Sequence, residues 1–517
     1  MEAVTNDALT HEELIDSRIE LHDSNQFEVK LDYTIRPDRR DNRYRIEAYF
    51  FVPRSLGIDA YNYPRDQFYS DVQAYIRFKT PSVSLRSLLE PDNPHSPFNA
   101  IAVALGRAMR SGRDGAAHKV LSHELRLLGC LVRANLRDRA IAIAADVKGL
   151  RGHEDERPTI VEGIRMSTSA LLGELESVMA RFRALRTAFS DPVVPAWLRE
   201  VYQYVDEFLS LSVESYLTML IDEVDHGKAM RGVLLSERKA LTTVVVGERA
   251  HRQGAGYKTV LKQAGAQENF VYRSGLLKKY VSSVLFLEIS KEAEGRSVRE
   301  AGAAIAAGTA MLFAATVGIA IQARWGINSL PFLIALVASY ILKDRIKEWM
   351  RQYFTRKMTR VLADYDVRIR DPETDVVLGR CREAFSFLKQ RRVPREVMER
   401  RHVDAVSLIE ADSKPEVVMK YEKDIHLDGN VIGRAYGRMT DINDIIRFNV
   451  AHFLMRTDDP TRVVRYYDAD HDAVETVRCP KVYHINVVFV LRARDKAQME
   501  RVRVVFDKRG IRRIESV

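Results

Sequence analysis

Hydrophobic positions along this chain fall into three rhythms, and the longest uninterrupted one is the most telling. Ala301 to Ala323 reads AGAAIAAGTAMLFAATVGIAIQA without a charge, and after Arg324-Trp325-Gly326 the stretch 327–342 is uncharged again. A helix rises about 1.5 Å per residue, so the first stretch can cross a hydrocarbon core of roughly 30 Å. The second is shorter and carries Pro331 near its start, where a helix tolerates a missing N–H. In tandem they predict a two-helix transmembrane hairpin over 301–342, with spans at 301–323 and 327–342.

Charge orients the hairpin. Lys291, Arg296 and Arg299 precede it, while Lys343, Arg345, Lys347, Arg351, Arg356 and Lys357 follow it; the connection holds only Arg324. The excess of Lys and Arg on the flanks places both termini in the cytoplasm of a two-span protein of the cell membrane. Trp325 and Trp349 fall at opposite membrane surfaces, and with Lys343, Arg345, Lys347 and Arg351 they make up the expected membrane-interface set. Small residues recur every fourth position in the first span, at Gly302, Ala306, Ala310, Ala314 and Gly318. Such a stripe lets another helix approach closely: either the second span, through Ala335 and Ser339, or a second copy of the chain in a homo-oligomer.

Past Lys343 the rhythm becomes amphipathic. Ile346, Trp349, Met350, Tyr353, Phe354, Met358, Val361 and Leu362 recur at spacings of three and four, with basic residues opposite. Two roles suit that helix equally: lying on anionic lipid headgroups, or packing its apolar face on the protein itself.

Elsewhere the period is two or near 3.6. Phe27, Val29, Leu31, Tyr33 and Ile35 alternate with polar residues, as do Tyr44, Ile46, Ala48, Phe50 and Val52, so the two runs predict a β-hairpin around the turn-rich 36–42. With a third strand at Val72 to Phe78, residues 1–95 read as an antiparallel β domain. Residues 96–300 read as a cytosolic helical bundle, with long amphipathic runs at 116–150 and 159–189 and a helix opening at Pro195. Val281 to Ile289 is apolar but too short to span, and reads as helix core. Basic amphipathic juxtamembrane helices are expected over 343–402, including 377–402. A C-terminal α+β domain follows over 403–517, with strands at 417–427, 463–467, 482–492 and 501–507 and a helix at 444–455. The fold class is thus an α+β multidomain membrane protein.

Composition sharpens this picture modestly. Apolar residues at 46% and charged residues at 29% of 517 suit large water-exposed domains, not a polytopic transporter. A net charge of +9 favours anionic partners: lipid headgroups, nucleic acid or an acidic protein. The most basic soluble segment, Lys389 to Arg401, has no aromatic residue on which a base could stack, which disfavours nucleic acid and leaves lipid or an unknown protein partner. Three scattered cysteines give neither a disulfide framework nor a cysteine zinc site. The first 32 residues have no apolar core of the kind a cleavable signal peptide carries.

Candidate chemistry is sparse. Glu223-x-x-His226 and Glu248-x-x-His251 match the E-x-x-H spacing that places carboxylate and imidazole on one helix face for a metal. Chance supplies such matches readily in a chain with 13 histidines. Gly254 to Thr259 lacks the first glycine of a phosphate loop, and Asp468 to Asp472 lacks the glycine and closing glutamate of a calcium loop. No cofactor is implied. The sequence therefore supports a scaffold, sensor or tether at a membrane face; the alternative is a membrane-anchored enzyme using a metal on the E-x-x-H helices.

Overall fold

Alternating burial builds two antiparallel sheets that enclose one core. The structure, a computed structural model, describes residues 16–111, 114–150, 157–226, 230–261, 267–293, 296–324, 330–358, 363–402, 416–437, 439, 441–493 and 496–516. In chain order the strands are β1 (Asp16–Leu21), β2 (Gln26–Thr34), β3 (Asn42–Pro53), β4 (Val72–Phe78), β5 (Glu288–Ala293), β6 (Tyr365–Arg370) and β7 (Val377–Leu388). They continue with β8 (Glu416–Leu427), β9 (Asp441–Asn449), β10 (Thr461–Asp468), β11 (Ala473–Pro480), β12 (Tyr483–Ala493), β13 (Lys496–Asp507) and β14 (Gly510–Ser516). The larger sheet has the order β14-β13-β12-β3-β8-β7-β6-β5, and every neighbouring pair is antiparallel. The smaller has the order β1-β2-β9-β4, and β10 with β11 forms a separate ribbon.

The chain divides into two compact units, Met1–Arg77 with Leu287–Val517, and Phe78–Phe286. In the first, Phe27, Val29, Leu31 and Tyr33 of β2 are buried together with Ile46, Ala48 and Phe50 of β3. Phe50 meets Phe448 of β9 at 5.0 Å between ring centroids, and Phe68 of the helix Arg65–Asp71 stacks on Phe385 of β7 at 4.0 Å. Tyr49, Phe51, Val418, Val488 and Val490 point from the opposite face of the larger sheet, where Val393 and Val397 cover them. Residues 395–402 form the covering helix.

The second unit is a helical bundle, with major helices Pro97–Ser111, Gly115–Gly149, Arg157–Ala184, Ala196–His226, Leu235–Gly254 and Gln267–Ser282. The predicted stripe of Leu198, Val201, Val205, Phe208 and Leu209 is buried throughout. Gly129 marks a close helix crossing, since a Cβ there would meet Val281 Cγ1 at 2.8 Å.

Several sequence expectations change. Residues 1–95 and 403–517 are not separate domains: β2 pairs with β9, and β3 lies between β8 and β12, so both chain ends share the same sheets. Nor do β2 and β3 form a hairpin. The connection is a corner between sheets, held by the Asn42 side chain, which accepts from Arg36 N and donates to the carbonyls of Arg36 and Arg39. Residues 377–388 are strand rather than helix, as are 441–449, and only Ala451–Leu454 of the expected helix at 444–455 is helical. Val281 to Ile289 leaves its helix after Ser282 and enters β5 at Glu288.

Candidate membrane-anchor site

The uncharged stretches form two helices, Arg296–Arg324 and Leu330–Met358, which pack along each other. Their place in the fold is unusual. β5 leads into the first helix, the second leads into β6, and β5 and β6 are antiparallel neighbours with Ala293 opposite Tyr365. The whole helical hairpin is therefore an insertion between two paired strands at the edge of the larger sheet.

The small-residue stripe faces inward. Gly302, Ala306 and Ala310 are buried, Ala314 and Gly318 half-buried, and on the second helix Ser339 is buried and Ala335 half-buried. Within the chain, the buried stripe and the packing of the two helices along each other fit the close approach that small residues allow. The outward faces are apolar: Met311, Leu312 and Ile319 on the first helix, and Ile334, Tyr340 and Ile341 on the second, are 58–68% exposed. A contiguous apolar surface of this kind needs a cover, since soluble proteins rarely leave one open to water.

Among the described residues one helix, Glu300–Arg324, is long and apolar enough to cross a membrane. This qualifies the expected pair of spans. In the described part of the second helix the uncharged stretch runs only from Leu330 to Leu342, before Lys343, Asp344, Arg345 and Lys347 follow. Beyond that point Arg345, Lys347 and Trp349 are exposed, Trp349 by 63%. Lys343 lays its Nζ 3.9 Å from the centroid of the Tyr340 ring, and Arg351 pairs with Glu348 at 3.0 Å one turn back. Trp325 lies outside the described residues.

The E-x-x-H pairs have other partners. Glu223 lies 3.5 Å from Lys148, and His226 Nδ1 lies 2.8 Å from the carbonyl of Asp222. Glu248 accepts from Arg183 at 2.6 Å, and His251 Nε2 sits 2.8 Å from Asp206, which also accepts from the Tyr257 hydroxyl at 2.8 Å. Adjacent Glu207 accepts from Thr259 and Arg273, each at 2.8 Å. Burial first, and then the nearby Asp206 carboxylate, hold the Tyr257 hydroxyl above its ordinary pKa. Glu223 and Glu248 thus belong to different polar groups, and among the described residues no set of three or more His, Cys, Asp or Glu is placed to hold a metal ion.

A second polar group was missed by the sequence reading. Lys423 of β8 and Asp444 of β9 meet at 2.5 Å between the two sheets, 1% and 0% exposed, and Tyr33 donates to Asp444 at 3.2 Å. Buried Glu383 of β7 stands opposite Lys423 in the ladder. Burial works against the charged lysine, but Asp444, Cys381 and Glu383 together outweigh it and keep the Lys423 pKa above its ordinary value. The available signal was a lysine in an inward register, between Tyr421 and Ile425 on a strand of strict alternation. No family model, curated protein or solved structure matches this chain.

Proposed function

We propose that the helical hairpin anchors this protein in a bilayer by crossing it twice, and that both soluble units work at the cytoplasmic face as a scaffold, sensor or tether. The pairing of β5 with β6 carries this reading. Because Ala293 and Tyr365 are held opposite each other, the chain enters and leaves the helical insertion at one place. If Glu300–Arg324 crosses, the chain must therefore come back, and Leu330–Met358, about 43 Å long, has the length to do it. Lys343, Arg345 and Lys347 then lie near the inner surface, where long basic side chains reach up to the headgroups along their apolar stems. The excess of basic residues on both flanks favours the cytoplasm as the side on which the insertion begins and ends. Anionic headgroups suit the exposed Arg345, Lys347 and Arg351, each basic group contributing about 1 kcal/mol at such a surface.

The direct test is extraction of membranes with alkaline carbonate. Full-length protein should remain in the pellet and be released by detergent, whereas protein lacking residues 296–358 should appear in the supernatant. Release of the intact chain by carbonate alone would overturn the anchor.

A further inference from the structure

The ribbon of β10 and β11 stands apart from both sheets, and nearly all of its residues are exposed. Two strands alone are marginally stable in water, and this pair shows apolar side chains on both faces. Val463, Tyr467 and Val474 are 54–69% exposed on one face, and Val464, Tyr466 and Val477 are 38–44% exposed on the other.

We propose that the second of these faces pairs with the same face of another copy of this chain. The register decides which face and which partner. Thr461 pairs with Pro480 and Asp468 with Ala473, so the second face runs from Arg462 and Cys479 at the base, through Val464 and Val477, then Tyr466 and Glu475, to Asp468 and Ala473 at the tip. When two such faces stack about a twofold axis with strands antiparallel, β10 lies over β10 and base lies over tip. Along β10, Arg462 then meets Asp468 of the other copy, which already holds His471 at 2.7 Å in its own chain, and Val464 meets Tyr466, so charge and apolar surface complement themselves on that strand. On β11 the same axis sets Cys479 over Ala473 and Val477 over Glu475, whose carboxylate is held to the Tyr466 hydroxyl at 2.8 Å within its own chain. The first face fails the same test: its middle row is Arg465 with Thr476, and the twofold would set Arg465 against itself. This pairing does not use the small-residue stripe of the first hairpin helix, which is covered within the chain.

The interface is small. A ribbon about 26 Å long and 10 Å wide lies at the weak end of specific contacts. Its occupancy rests on the membrane reading, because confinement to a bilayer raises the effective concentration of neighbouring copies.

Ala473→Cys tests the geometry. Within one chain, residues 473 and 479 lie roughly 20 Å apart along one strand, whereas a disulfide tolerates a Cα separation of about 7 Å. Their bridge must therefore join two chains. In reconstituted vesicles under mild oxidation, full-length Ala473→Cys should give at least tenfold more covalent dimer than the unsubstituted protein. Adding Cys479→Ser should abolish the dimer, adding Arg462→Asp should lower it, and further adding Asp468→Arg should restore it. Thr476→Cys in a Cys479→Ser background marks the other face and should stay monomeric. No dimer from Ala473→Cys, or dimer from Thr476→Cys instead, would overturn the pairing. Carbonate extraction of the same vesicles and a parallel oxidation in concentrated detergent solution separate the two readings. Protein that washes off but cross-links when concentrated sinks the anchor and keeps the ribbon pairing; protein that stays but never cross-links does the reverse.

Discussion

Ala293 and Tyr365 face each other across the outermost pair of strands in the larger sheet, with both hairpin helices between them in sequence. A membrane-crossing insertion closed in this way cannot place its flanking strands on opposite sides of a bilayer. Single cysteines at Ser17 and Ser516 should therefore escape a membrane-impermeant thiol reagent in intact cells, and a cysteine at Asn328 should react. Labelling of both Ser17→Cys and Ser516→Cys before lysis would contradict the cytoplasmic orientation, and labelling of one without the other would contradict the two-crossing arrangement.

Lipid selectivity should reside in the basic residues after Lys343. Exchanging Lys347, Arg351 and Lys357 for Gln leaves the apolar surface intact but removes three charges. The reconstituted protein should then lose most of its preference for acidic over neutral lipid, read as enrichment of acidic lipid around the purified protein. The preference should also fall with salt, since exposed charges are screened over about 8 Å at physiological ionic strength. Trp349→Ser should act differently, weakening association with both lipid types, because it removes apolar area and not charge.

The buried pair of Lys423 and Asp444 should be costly to break and cheaper to remove. Lys423→Met leaves a carboxylate without its cation at a site 0% exposed, a change that typically destabilises by about 3–5 kcal/mol. Removing both charges in Lys423→Met/Asp444→Leu should recover much of that loss, measured as the denaturant midpoint of the unit containing the sheets. Equal stability of the single and double variants would show that the pair is uncoupled.

The same residues show why part of the fold was hidden in the sequence. Strands β2, β3 and β12 were legible, the first two from alternating apolar positions and the last from a continuous apolar run, as was the buried stripe of Ala196–His226. Strands β7 and β9 were not, because each turns an acid inward. Glu383 interrupts the inward series Cys381, Phe385, and Asp444 interrupts Ile442, Ile446, Phe448. A carboxylate in a core is read locally as a surface residue, and its compensating lysine lies on another strand. Pairings such as Leu31 with Asp444 bring together residues from opposite ends of the chain, which periodicity within a short window cannot show. Conversely, the one helix apolar enough to cross a membrane was visible because its signal is local, while the closure of the helical insertion by β5 and β6 was not.

Acid should destabilise the sheet unit first. Burial alone would raise the Glu28 pKa, but hydrogen bonds from Arg447 and Lys30 hold it below the ordinary value, and Arg512 does the same for Asp507. A carboxyl whose folded pKa is depressed contributes its stabilisation above its unfolded pKa, about 4, and loses it as the pH falls through the folded value. Thermal stability should therefore change little between about pH 7 and 5.5, then drop below about pH 4.5. Glu28→Gln should start less stable at neutral pH and show a shallower acid decline. An unchanged profile would exclude Glu28 from the acid response.

The Glu248 and His251 pair decides between a metal enzyme and a packed helical unit. In a metal site, Glu248→Ala would lower bound iron or manganese and leave the fold largely intact. The structure points the other way, because Glu248 is 6% exposed and receives Arg183 at 2.6 Å, while Arg183 also approaches Asp206 at 3.5 Å. Glu248→Ala would leave the guanidinium short of one of two carboxylates in a half-buried setting, a loss of roughly 1–3 kcal/mol for a hydrogen bond to a charged group. His251→Gln keeps a side chain able to donate to Asp206 and should cost less, whereas His251→Leu deprives buried Asp206 of that donor and should cost more. Elemental analysis of chelator-free protein together with denaturation of the three variants separates the readings. Stoichiometric metal that falls in Glu248→Ala, with stability unchanged, would restore the enzyme alternative. Stability losses in the order His251→Gln below His251→Leu, with metal content unaffected, would assign these residues to packing of the bundle.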